Sequence, residues 1–154
     1  MDKNKKILIT RIVLIILIIL WAILVFGMSN QQGEASSGLS RKITALFFKT
    51  EEQIGLVEPY VRKVAHVSEY AIGGILFLSL FLTYEWSDKR RIITSVLLGI
   101  WYAIFDEIHQ LFVPERSGNI IDVFIDSLGI CFGVCFMMLI YKIFKKHQKK
   151  KEGI

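Results

Sequence analysis

ILITRIVLIILIILWAILVFG, residues 7–27, decides the fold. At 1.5 Å per residue, a helix of this length crosses a hydrocarbon core about 30 Å thick. Only Thr10 and Arg11 interrupt the apolar run, and Arg11 is expected to snorkel to the nearer surface. A signal peptide has a shorter apolar region and ends in a small-residue cleavage motif. Here Met28-Ser29-Asn30-Gln31-Gln32 follows, which reads as an uncleaved span. Three further apolar blocks lie near 64–84, 92–112 and 119–141. The expectation is an all-α polytopic membrane protein: one domain over 1–154, folded as a four-helix transmembrane bundle.

The net charge of +5 does not point to nucleic acid, because the charge is concentrated in three places. Lys3, Lys5, Lys6 and Arg11 precede or open the first span, Lys89, Arg90 and Arg91 join the second to the third, and a basic tail starts at Lys142. Four spans put all three groups in one compartment. The positive-inside rule makes that compartment the cytoplasm, with both termini inside and multi-pass placement in a cell membrane. A basic tail there meets anionic lipid rather than nucleic acid. Cys131 and Cys135, one helical turn apart in the fourth span, read as small buried hydrophobes.

The first outer loop runs from 28 to 63. Ser29 to Ser40 is rich in Ser, Gln and Gly and is expected to be irregular. From Leu39 to Lys49, the residues Leu39, Ile43, Leu46 and Phe47 share a face, which predicts a short amphipathic helix on the membrane surface. Pro59 is expected in the first turn of the second span. Trp21 has no distinct reading.

The chemistry is concentrated in FDEIHQLFVPERSGNIIDVFID, residues 105–126. Asp106, His109 and Gln110 share one helical face at i, i+3 and i+4, while Glu107 points about 100° away. Asp122, Asp126, Gly129 and Gly133 form a stripe on the fourth span, with two carboxylates above a small-xxx-small contact motif. Lys63, His66 and Tyr70 share a face near the outer end of the second span. Charges at membrane depth are expensive, so these faces are expected to meet inside the bundle in the outer leaflet.

Three uses fit such a cluster. It can be an interhelical network that only stabilises packing, with Arg62, Lys63 or Arg116 neutralising the acids. It can be a pocket in which Lys63, Tyr70, Gln110, Arg116 and Asp126 bind an anionic ligand while His66, Asp106, Glu107 and Asp122 perform acid/base work. Histidines and carboxylates can also hold a divalent metal, although no fixed metal signature is present. Otherwise no cofactor is implied. Transport fits poorly, because the cytoplasmic halves of spans two to four are nearly free of polar residues.

Arg62-Lys63-Val64-Ala65-His66-Val67-Ser68-Glu69-Tyr70 resembles the K-x-x-H-x-x-E-Y element of the VanZ-like family. Asp106 to Arg116 resembles its D-E-x-x-Q-x-x-x-P-x-R element, and Asp122 to Gly133 its D-x-x-x-[ND]-x-x-G-x-x-x-G element. Met28-Ser29-Asn30-Gln31, with Ser36, Ser37 and Ser40, resembles its S-S-Q…S…S stretch. Asn30 stands where a second Ser is usual, Glu115 where Gly is common, and Asp126 where Asn is common. The resemblance implies a small bacterial envelope protein. The family's namesake is associated with reduced susceptibility to the glycopeptide teicoplanin. The partners expected are the bilayer and a phospholipid headgroup or lipid-linked cell-wall precursor. A homo-oligomer is compatible with the pattern.

Overall fold

The computed structural model describes residues 2–30, 33–114 and 118–151. It contains five helices: α1 Lys3–Ser29, α2 Gly33–Ala45, α3 Glu51–Leu82, α4 Asp88–Gln110 and α5 Ile120–Lys151. Four of them, all but α2, are long and apolar enough to cross a membrane. The chain is therefore a multi-pass, all-α membrane protein.

Contacts between helices fix the directions. Arg11 of α1 meets Thr83 at the end of α3, and Trp21 meets Glu69 further back along α3, so α1 and α3 are antiparallel. Tyr102 bonds Ala22 and His109 stacks on Phe26, so α4 runs parallel to α1. Gly129 lies against Val67 and Gly133 against Ala71, so α5 runs parallel to α3. The polar hairpin and the basic clusters thus occupy opposite ends of the bundle.

The α3–α5 seam is the closest in the fold. A Cβ on Gly133 would collide with the carbonyl oxygen of Ala71, and one on Gly129 would lie 2.5 Å from the carbonyl oxygen of Val67. Lipid offers little hydrophobic drive between helices, so close backbone packing of this kind holds them together. Ile130, Val134, Leu78 and Ala103 fill the centre behind the seam.

Several boundaries differ from expectation. The third long helix begins at Glu51 rather than near 64, so Pro59 lies inside it and not in its first turn. Thr50 caps it by accepting from the Gln53 amide, and Glu51 and Glu52 complement the helix dipole. At 32 residues, α3 is about 48 Å long and overreaches a bilayer core. Its extra turns support α2. That short helix starts and ends earlier than the expected Leu39–Lys49, absorbing much of the stretch expected to be irregular. Ser40 and Thr44 form its buried side, whereas Ile43, Leu46 and Phe47 are exposed. Arg41 pairs with Glu51 and ties α2 to α3. The basic tail is not free chain but a continuation of α5 to Lys151.

Arg11 does not simply snorkel. Its guanidinium donates to Thr83 Oγ1 at 3.0 Å and to the Thr83 carbonyl at 2.8 Å, and lies 3.9 Å from the centre of the Tyr84 ring. Arg91 donates to the Tyr84 carbonyl at 2.6 Å. Two cations therefore satisfy the carbonyls of Thr83 and Tyr84, just past the end of α3, where the helix dipole favours positive charge.

Candidate functional site

The site lies at the bundle end opposite Arg11 and Arg91. Helix α4 supplies Asp106, Glu107 and Gln110, all buried, and Asp106 is only 1% exposed. The Gln110 side-chain amide donates to Asp106 Oδ2 and to Glu107 Oε1, each at 3.1 Å. One amide thus clamps both carboxylates. Glu107 Oε2 accepts from the Asn119 backbone amide at 2.8 Å, which fastens the polar hairpin to the end of α4. Glu107 is therefore buried and also reaches the loop, accepting from Gln110 at Oε1 and from the Asn119 amide at Oε2.

Helix α5 brings Asp126, 1% exposed, and half-buried Asp122. Asp126 lies within electrostatic reach of Glu107, Asp106, Asp122 and Glu69. Helix α3 brings Tyr70, which is completely buried, and half-buried His66 and Glu69. His66 Nδ1 lies 4.0 Å from the Glu69 carboxylate. The Tyr70 hydroxyl faces the Asp106 carboxylate without closing a hydrogen bond to it. Among the described residues neither that hydroxyl nor Asp106 Oδ1 has a hydrogen-bond partner. A buried polar atom left unpaired costs about 1–3 kcal/mol, and these two lie against each other at the centre of the cluster.

The residues expected to meet do so in part. Asp106, Glu107, Gln110, Asp122, Asp126 and Tyr70 converge, and His66 lies at their edge. Lys63 does not enter the interior: it is exposed and makes no ion pair among the described residues. Arg62 pairs with Glu58 at 3.1 Å rather than with the central acids, because Glu58 lies one turn away on the same helix. Arg116 lies outside the described residues. His109 leaves the cluster and stacks on Phe26, with ring centroids 4.2 Å apart. Among the described residues no group of three His, Cys, Asp or Glu side chains is placed to hold a metal ion.

Trp21 supports the site in a way the linear sequence hides. Its indole N–H donates to the Glu69 carbonyl at 2.8 Å. Its ring fills the notch left by Gly73 and meets Tyr70 and Phe77 edge-on. Tyr102 packs beside it, 4.9 Å between centroids, and donates to the Ala22 carbonyl at 2.6 Å. This aromatic floor closes the polar cluster from below and fixes the Tyr70 ring. The available signal was a tryptophan in the middle of a largely aliphatic span, together with a glycine pair on another.

A family model described as VanZ/LLP1 matches residues 14–145, which take in α3, α4 and the parts of α1 and α5 that contribute to the site. No curated protein and no solved structure matches the chain.

Proposed function

From a chain that belongs to the VanZ/LLP1 family, we infer a membrane-embedded site that binds the headgroup of an envelope lipid or lipid-linked cell-wall precursor. The supporting observation is the buried Tyr70 hydroxyl facing Asp106 Oδ1, neither closed by a hydrogen bond among the described residues, set among carboxylates at one end of the bundle. Carboxylates accept and a phenol donates, so the interior suits a headgroup rich in hydroxyl, amide or amine groups. Lys63 stands on the exposed surface of α3, two turns before Tyr70, where a phosphate of the same ligand would lie. Arg116 is assigned to that phosphate by its place in the motif. His66, beside Glu69, is the proton carrier of the assembly if the bound group is also modified, with Asp106 as the base.

The distribution of Lys and Arg orients the protein with both termini in the cytoplasm, which opens the site to the outer leaflet of the bacterial cell membrane. An effect on glycopeptide susceptibility follows only where the bound precursor is the drug's own target. The test is a profile of surface lipids and peptidoglycan precursors in cells with the protein, without it, and with Asp106→Asn. The protein is expected to change the abundance of one such species, and Asp106→Asn to abolish the change while the protein stays inserted at normal levels.

One rival use has an observation of its own. The Gln110 clamp and the Asn119–Glu107 bond are internal contacts that hold the hairpin without any ligand. A purely structural network predicts that Asp106→Asn lowers thermal stability and leaves every lipid profile unchanged.

A further inference from the structure

The opposite end of the bundle carries a second feature, independent of the Asp106 site. An open cleft of about 280 Å³ is lined by Ser87, Lys89, Arg90, Ile93 and Thr94, where α4 begins. Its two cations are available: Lys89 and Arg90 are exposed and form no ion pair among the described residues. The neighbouring Arg91 is instead engaged by Asp88 and the Tyr84 carbonyl. The Arg90 guanidinium rests 4.1 Å from the centre of the Trp86 ring, which holds it beside the cleft. Ser87 and Thr94 add hydroxyl groups to the lining.

An apolar ridge continues from the cleft along α4. Ile93, Leu97 and Trp101 recur four residues apart and are 45%, 60% and 72% exposed. They share one face of the helix and lead from the cleft into the span. Cations above and an apolar ridge below repeat the layout of a glycerophospholipid. A soluble phosphate would use only the upper part, a lipid without phosphate would leave both cations without a counter-charge, and a zwitterionic lipid would bring its own cation against them.

We propose that this cleft binds the headgroup phosphate of an anionic glycerophospholipid. Lys89 and Arg90 meet the phosphate, the Ser87 and Thr94 hydroxyls meet the remaining headgroup oxygens, and one acyl chain lies along Ile93, Leu97 and Trp101. A basic residue near an anionic surface contributes about 1 kcal/mol. Losing both cations therefore weakens binding about 30-fold, since 1.4 kcal/mol is a factor of ten.

The experiment is native mass spectrometry of the full chain released from mixed phosphatidylcholine and phosphatidylglycerol micelles. The wild type is expected to retain one phosphatidylglycerol in preference to phosphatidylcholine. Lys89→Gln/Arg90→Gln is expected to lose that preference by about 30-fold. Lys145→Gln/Lys146→Gln, which removes the same charge from the helical tail, is expected to leave that preference for a single retained lipid in place, because neither residue lines the cleft. Thr94→Trp keeps both cations but fills the cleft, and is expected to lose the retained lipid; it decides the matter if the double variant fails to fold. Unchanged retention by Thr94→Trp, an equal loss in the tail variant, or displacement of the lipid by millimolar glycerol phosphate would overturn the proposal.

Discussion

Gly133→Ala sets two physical effects against each other. Replacing glycine by alanine inside a helix ordinarily stabilises by about 0.5–1 kcal/mol, because the unfolded chain loses freedom. At Gly133 the added methyl would collide with the Ala71 carbonyl oxygen, and the obstacle is backbone rather than the flexible end of a side chain. Relief requires α5 to move away from α3 by about 1.5 Å, since carbon and its non-bonded neighbours settle near 3.5 Å. That movement also opens the contacts of Gly129 with Val67 and of Gly74 with Ile130. Overpacking of this kind costs about 1–3 kcal/mol, and the spread of the strain along the seam places it at the upper end. The net expectation is a loss of about 2 kcal/mol. The assay is reversible unfolding in mixed micelles with increasing denaturing detergent. Gly55→Ala is the control, because nothing lies within 4 Å of a Cβ built there, and it should be neutral or slightly stabilising. Equal stability of Gly133→Ala and Gly55→Ala would refute the close-packed seam.

Trp21→Phe keeps an aromatic ring in the Gly73 notch but removes the bond to the Glu69 carbonyl, and should cost about 1 kcal/mol in the same unfolding assay. Arg11→Gln strips the cation from the end of α3 and should destabilise by about 1–3 kcal/mol, with hydrogen exchange rising first at the amides before Thr83. Gln110→Leu removes the single donor shared by Asp106 and Glu107 and should be the most damaging of these changes, about 3 kcal/mol or more, while Gln110→Asn is too short to span both acids and should fall between. The cysteine variant Ser37→Cys should label with a membrane-impermeant thiol reagent in intact cells; labelling only after lysis would reverse the orientation.

The spans were legible because apolar length is a one-dimensional property of the chain. The convergence of Asp106, Asp122 and Asp126 was legible for a related reason, since i+3 and i+4 spacing places polar groups on faces that a bundle in lipid must turn inward. The start of α3 was misread because Pro59 is a strong boundary signal. The competing signal was present in Thr50-Glu51-Glu52-Gln53, a capping-box pattern with acids in the first turn. The fates of His109 and Lys63 depended on rotations that spacing does not fix. His109 lies within one turn of Asp106 yet stacks on Phe26, and Lys63 shares a nominal face with Tyr70 yet stays in the open. Trp21 escaped notice because its importance lies in a gap on another helix. Only the three-dimensional pairing with Gly73 shows why a large aromatic belongs there.

The central claim is that Asp106 Oδ1 and the Tyr70 hydroxyl receive a headgroup. The most direct measurement is the set of lipids and lipid-linked precursors retained by purified wild-type protein, beside Asp106→Asn and Tyr70→Phe preparations matched for thermal stability. One species is expected to be retained near stoichiometrically by the wild type and lost from both variants. Identical retention by all three at matched stability would contradict it.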